Sequence, residues 1–250
     1  MAGNLAWITG ASSGIGRALA LALAAEGWTV AVSSRSADRL AALAAEAPAG
    51  RVHPFAVDVT DLEAMSATAR HIEAKLGPID HAVFNAGDYQ PMAAAAFDAR
   101  LFRRLMEVNY LGVVHGIAAV LGSMRSRGAG AIWVNASVAG YRGLPRAAPY
   151  GASKAALINL AESLQPELAA LGIAIHVINP GFVRTALTAK NTFAMPFLIG
   201  PEQAARAIVK GMSRRGFEVT FPWTMAALMK LLRCLPYRVY FAVTRRMVGS

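Results

Sequence analysis

Thr9-Gly10-Ala11-Ser12-Ser13-Gly14-Ile15-Gly16 joins a short apolar run, Ala6–Thr9, to a segment of helical period, Arg17–Ala25. Strand, glycine turn and helix in that order make a cradle for an anion. The glycines let the backbone turn tightly and come close to a pyrophosphate, while the helix N-terminus offers unpaired N–H groups and a positive dipole end. Glycine-rich turns also occur in ordinary loops. Here the flanking strand and helix point to a dinucleotide.

Outward from this turn the same alternation repeats: Thr29–Ser33 then Ala37–Glu46, Val52–Val57 then Leu62–Leu76, then Asp80–Asn85. Short apolar runs between helical segments are the pattern of βαβ units, and right-handed crossovers assemble these into a parallel sheet. Gly27 is placed to close the first helix, Ser36 and Asp61 to cap the second and third, and Gly77-Pro78 to stop the third. The second half predicts helices over Ala99–Met106 and Leu111–Ser126, a strand over Ala131–Asn135, a helix over Tyr150–Leu171 kinked at Pro166, and a strand over Ala174–Ile178. The expected fold is α/β, a doubly wound Rossmann-type parallel sheet with helices on both faces. It forms one domain over 1–221, followed by a basic amphipathic C-terminal extension over 222–250. Leu187–Gly200, with Pro196 and Gly200, reads as a loop: a lid over a site or a plain connection.

Composition agrees with this. In 250 residues, 55% are hydrophobic and only 16% charged, which excludes a disordered chain and suits a sheet covered on both faces. A single cysteine, Cys234, permits no internal disulfide, and no basic segment followed by a long apolar run stands at the N-terminus. Cytoplasm is the expected compartment, and no metal site is expected. The formal charge of +10 would suit nucleic acid, an anionic membrane or an acidic ligand. No finger, helix-turn-helix or aromatic sheet motif speaks for nucleic acid, so none is expected as a partner.

The spacing Gly10-x-x-x-Gly14-x-Gly16 resembles that of the short-chain dehydrogenase/reductase family, and the likeness runs from about residue 5 to about residue 220. The family's members are oxidoreductases that move a hydride between a nicotinamide and a carbonyl or alcohol. Such enzymes that take NAD usually carry an acid at the end of the second strand, to hold the adenosine ribose. Here the strand ends Ser33-Ser34-Arg35, and a guanidinium there suits a 2′-phosphate. The expected cofactor is therefore NADP(H), with NAD(H) second. The resemblance implies further cofactor contacts at Ser12, Ser13 and Ile15 in the turn, at Asp58-Val59, and at Asn85-Ala86-Gly87. It also implies contacts through Pro180-Gly181 and through Val183 and Thr185 beside the nicotinamide. Phe84 stands where the family's Asn-Asn-Ala-Gly motif has its first asparagine.

Tyr150 and Lys154 lie four residues apart on an expected helix, so both emerge on one face, and a nearby cation favours a phenolate. Alone such a pair reads as a surface contact. Ser137 ends an expected buried strand at the carboxyl edge of the sheet, where open α/β folds place ligands. The resemblance makes Tyr150 the acid/base, Lys154 its activator and Ser137 a donor to the substrate oxygen. Asn109 would hold a water that relays protons from Lys154, and Tyr150 and Lys154 would also touch the cofactor. A catalytically silent cofactor sensor or scaffold of the same fold is the alternative, and a broken Ser/Tyr/Lys set would be its usual mark.

Val138, Tyr141 and Leu144, with Phe193, Met195 and Phe197, are the expected substrate walls; being apolar, they suit a lipid-, acyl- or steroid-like compound. The resemblance also implies a homodimer or homotetramer. From Pro222 to Ser250 there is no acidic residue, while Lys230, Arg233, Arg238, Arg245 and Arg246 supply half of the excess charge. Leu228, Leu231, Leu232 and Leu235 recur there at helical spacing. Such a tail either packs on the domain or a second subunit, or lies peripherally on an anionic membrane, at its inner face.

Overall fold

In the strand Leu5–Thr9 (β1), Leu5 and Trp7 turn to one face of the sheet and Ala6 and Ile8 to the other, and all four are buried. That alternation is the pleat of a strand covered on both sides. The computed structural model describes residues 5–191, 193–214 and 216–247. After β1 come β2 (Thr29–Ser33), β3 (Val52–Pro54), β4 (His81–Phe84), β5 (Gly130–Asn135), β6 (Ile173–Pro180) and β7 (Glu218–Phe221). All pair in parallel, in the order β3-β2-β1-β4-β5-β6-β7.

Helices α3 (Leu62–Leu76), α5 (Gly112–Arg127) and α6 (Ala148–Ala170) cover the Trp7 face, through Met65, Ile72, Ile117 and Leu157. Helices α1 (Gly14–Ala25), α2 (Ala37–Glu46) and α7 (Pro201–Met212) cover the Ile8 face, through Leu19, Leu23, Leu40 and Ile208. The chain leaves β1 toward β2 and β3, then returns to β4 on the other side. This reversal opens a crevice at the carboxyl ends of β1 and β4.

Asp61 caps α3 by accepting from the Ala64 N–H at 2.9 Å, as expected, whereas the Ser36 side chain makes no such cap on α2. β3 is shorter than the expected Val52–Val57, yet Phe55 and Val57 still donate backbone bonds to Val32 and Ser34. The two helices expected over 99–126 are one: α4 (Ala99–Met106) passes through a π-helical turn, Glu107–Leu111, into α5. Together they are long and apolar enough to cross a membrane. Leu101, Leu105, Val113, Ile117, Val120 and Met124 are instead packed inside the protein. α6 continues through Pro166 to Ala170.

The segment 222–247 forms α8 (Trp223–Cys234) and α9 (Tyr237–Arg246), which lie over the loop that follows β5. Met225, Met229, Leu232 and Tyr240 bury against Val138 and Tyr141 of that loop. The leucine stripe read from the sequence is thus divided. Leu232 points inward, while Leu228 and Leu231 are 43% and 63% exposed.

Candidate active site

The carboxyl ends of the central strands are tied by polar side chains. Thr9 Oγ1 accepts from the backbone N–H groups of Asn85 and Ala86, at 3.1 and 3.2 Å. Asn85 Nδ2 donates to the carbonyls of Thr9 and Gly10, and Asn135 Nδ2 donates to Asn85 Oδ1 at 2.8 Å. The glycine turn sits on this bridge. Gly10 has φ +66°, and a Cβ there would lie 2.6 Å from Ala86 Cα, so only glycine fits. Gly16 presses on Gly10 O and the Asn85 amide from behind, so it shapes the turn without lining the cleft.

Above the turn opens a cleft of about 910 Å³. Gly10, Ser12, Ser13, Gly14 and Ile15 line one end with Arg35, Asp58 and Val59; Asn85, Ala86 and Gly87 follow, and Pro180, Gly181, Val183 and Thr185 form the far wall. The residues expected to hold a dinucleotide are therefore brought to one surface, Gly16 apart. The fit holds on two further observations. Asn135, at the cleft wall, leaves Oδ1 buried without a partner, and α1 opens into the cleft with no acidic residue in its first turn. Asp58 Oδ1 accepts from the Thr60 N–H and hydroxyl.

Phe84 does not disturb this. Its ring packs edge-on against Trp7, and a Cβ on Gly116 would fall 2.3 Å from it, so Gly116 makes the room. The substituted position faces the core rather than the cleft.

Ser137, Tyr150 and Lys154 meet at the middle of the cleft. The Ser137 hydroxyl donates to Pro180 O at 3.3 Å and accepts from the Ala139 N–H at 3.1 Å. Lys154 is 3% exposed; its Nζ donates to Asn135 O at 2.7 Å and stands 5.7 Å from the Tyr150 ring centroid. Burial pushes the Tyr150 phenol up to about 12, with the Ser137 hydroxyl pulling it the other way, and burial brings the Lys154 ammonium down to about 7. Tyr150 is thus held as the neutral phenol, while Lys154 titrates near neutral pH.

Asn109 lies behind the wall, fully buried in the π-helical turn. Its Oδ1 accepts from the Asp88 N–H at 2.7 Å, and its Nδ2 donates to Asp88 O and Ser153 Oγ, both at 3.0 Å. It fastens the loop after β4 to α6. A Cβ on Gly87 would lie 3.2 Å from Asn109 Oδ1 and 3.6 Å from Lys154 Nζ, so glycine leaves open the space between them.

Of the expected substrate walls, Val138, Leu144 and Phe193 line the cleft, but Tyr141, Met195 and Phe197 do not. The Tyr141 hydroxyl is drawn away to Glu218, Met195 Sδ accepts from Asn191, and Phe197, at φ +59°, is half exposed. In their place stand residues that the sequence did not single out. Tyr89, whose ring meets Tyr150 edge-on at 5.0 Å, donates to Asn191 Oδ1, and Arg39, in the first turn of α2, lines the cleft with Arg35. Met225, Leu228, Met229, Leu232 and Met247 of the tail close the far end. Nothing local in the sequence marks Arg39 or the tail residues.

A family model described as short chain dehydrogenase matches residues 4–195. The chain belongs to the short-chain dehydrogenase family. An uncharacterized oxidoreductase of Myxococcus xanthus is 38% identical over 99% of this chain and 98% of its own. Two solved structures share the architecture. A short chain dehydrogenase from Burkholderia cenocepacia in complex with NADP has a TM-score of 0.84, 26% identity and 97% of each chain covered. An alcohol dehydrogenase from Thermococcus sibiricus complexed with 5-hydroxy-NADP has a TM-score of 0.79 and 28% identity, over 87% of this chain and 95% of its own. As a short-chain dehydrogenase, the protein is an oxidoreductase that uses a nicotinamide cofactor between CH–OH and C=O groups.

Proposed function

We propose that this short-chain dehydrogenase uses NADP(H) to interconvert a carbonyl and an alcohol on an apolar substrate, with Tyr150 as acid/base. The carrying observation is the composition of the cleft from end to end: Arg35 and Arg39 with no carboxylate at the end of β2, then Ser137 and Tyr150, then methionine and leucine. Guanidinium groups suit a 2′-phosphate, to which a carboxylate would be repulsive.

Gly10, Ser12, Ser13, Gly14 and Ile15 would hold the pyrophosphate; Asp58 and Val59 would hold the adenine side, and Pro180, Gly181, Val183 and Thr185 the nicotinamide side. When bound, the nicotinamide supplies or takes up the hydride. The protein's own residues manage the proton. In the reducing direction the Tyr150 phenol donates to the carbonyl oxygen, while the Ser137 hydroxyl donates a hydrogen bond to the same oxygen. Lys154, charged below about pH 7, supports the phenolate that remains. A water between Lys154 and Asn109, on the side that Gly87 leaves free of a side chain, would restore the proton.

Val138, Leu144, Phe182, Phe193, Met225 and Met229 give the substrate end its apolar character, which supports a lipid-, acyl- or steroid-like compound. A cytoplasmic homodimer or homotetramer completes this reading. The silent-scaffold alternative gains no support, because the Ser/Tyr/Lys set is present and assembled.

The test is a screen for NADPH oxidation over ketones, aldehydes and 3-oxoacyl thioesters of rising chain length. Turnover that strengthens with chain length, and NADPH preferred over NADH, is expected. Equal affinity for the two cofactors would overturn the cofactor assignment, and turnover confined to small polar carbonyls would overturn the substrate class.

A further inference from the structure

Helix α8 divides cleanly around its axis. Met225, Met229 and Leu232 point into the protein, whereas Trp223, Ala227, Leu231 and Cys234 form an exposed row at spacings of four, four and three, with Leu228 beside it. Trp223 is 77% exposed and Leu231 63%; Lys230, three residues from Ala227 and four from Cys234, lies along the same side. In α9, Tyr237 and Phe241, 71% and 49% exposed, lie on one side and Val239, 49% exposed, on the other, with exposed Arg238 and Arg245 between them. Helix faces of this kind are normally covered.

Two residues connect this face with the cleft. Leu228 and Met247 line the cleft and are also 43% and 47% exposed, so the cleft opens onto the apolar face. Around it the charge has one sign. Residues 222–247 contain no Asp or Glu, and Arg233, Arg238, Arg245 and Arg246 are exposed. Lys230 is taken up by Glu218, at 2.5 Å.

We propose that the outer face of α8 and α9 docks on an anionic lipid surface, so that an apolar substrate passes from the bilayer into the cleft between Leu228 and Met247. The occupant is decided by the charge. A second copy paired about a two-fold axis would set this basic rim against its own equivalent, with no carboxylate from the segment to neutralise it. Lipid phosphates supply the missing negative charge, and the row Trp223–Leu231 supplies apolar contact at headgroup depth. Each exposed arginine strengthens binding to an anionic surface about fivefold. Neither helix is long enough to cross the bilayer: α8 has 12 residues and α9 has 10, against the ~20 required. The contact is peripheral. Apolar substrate delivery rests on the function proposed above; the docking itself does not.

Trp223 provides the readout, because Trp7 and Trp133 are buried and Trp28 is partly so. The full chain is mixed with phosphatidylcholine vesicles with and without phosphatidylglycerol, at low and high salt, and followed by flotation and tryptophan emission. Expected are flotation with the anionic vesicles only, loss at high salt, and a blue shift that Trp223→Phe removes. Leu231→Glu and the double change Arg245→Glu, Arg246→Glu should each weaken vesicle binding at least tenfold. Both should leave turnover of a water-soluble ketone unchanged, which shows that they fold. No flotation at low salt overturns the proposal, as does a wild-type dimer that Leu231→Glu converts to a monomer without changing flotation. Vesicle binding without any carbonyl turnover would leave the docking face standing and remove the proposed reaction.

Discussion

At the nucleotide end of the cleft the ligand surface is backbone, contributed by Gly10, Gly14 and the first turn of α1; at the substrate end it is side chain, contributed by Val138, Leu144, Phe193, Met225 and Met229. The first end is set by φ angles and close approach, as at Gly10, where one added carbon would meet Ala86. The second is set by how α8 is held. Arg142 donates to the carbonyls of Leu232, Arg233 and Leu235 at the end of α8, and its guanidinium lies over the Tyr240 ring, 4.1 Å from the centroid. Tyr240 in turn donates to Gly143 O. Glu218 bridges Tyr141, Asn179 and Lys230. Burial works against its charge, but hydrogen bonds from Lys230, Tyr141 and Asn179 outweigh that and hold its carboxyl below the usual range. A backbone site fails when a single atom is added. A side-chain wall held by clamps loosens by degrees.

Between the two ends, Tyr150→Phe separates chemistry from binding: kcat should fall by about 10³-fold while the Kd for NADPH stays unchanged. Rates that remain equal across a responsive carbonyl panel would remove Tyr150 from the mechanism. Gly10→Ala attacks the backbone end. It should cost about 2 kcal/mol, seen as a fall of roughly 4–8 °C in Tm, and should weaken NADPH binding more than tenfold. An unchanged Tm would show that the turn relaxes around a methyl group and that the contrast is overdrawn. Arg35→Asp should weaken NADPH about tenfold and leave NADH little changed. If both cofactors weaken alike, the guanidinium does not meet a 2′-phosphate.

Arg142→Ala sharpens the other side. By freeing the end of α8 it should raise KM for an apolar ketone several-fold, with NADPH binding unchanged; if kcat falls instead, Arg142 serves the Ser137 loop rather than the wall. The last test is of pH. kcat/KM for NADPH reports the free enzyme. Lys154 loses its charge as pH rises through about 7, so carbonyl reduction should be about half its acid-side value there and decline above it. Tyr150, raised to about 12, stays protonated throughout and adds no limb of its own. A flat profile from pH 6 to 9 would show that the Lys154 proton is not used.

The sheet, the glycine turn and the Ser137, Tyr150 and Lys154 set were legible because each is written over a few neighbouring residues: an apolar run, a turn, a spacing of four. Asn135 was not, because its role is to donate to Asn85, 50 residues away. Asn109 was read as a functional helix asparagine, but its surroundings depended on a π-helical turn that joined two expected helices into one.

By itself, then, the sequence determined the α/β fold, the glycine turn at the cleft and the grouping of Ser137, Tyr150 and Lys154, since backbone conformation and strand–helix periodicity are local properties of the chain. Which leucines of 228–235 line a cleft and which face outward, that Tyr141 turns to Glu218 instead of the cleft, and that Arg39 joins Arg35 were decided only by tertiary structure. Those outcomes depend on which distant surfaces each side chain meets, and an apolar stripe or a basic residue reads the same along the chain whichever surface it finds.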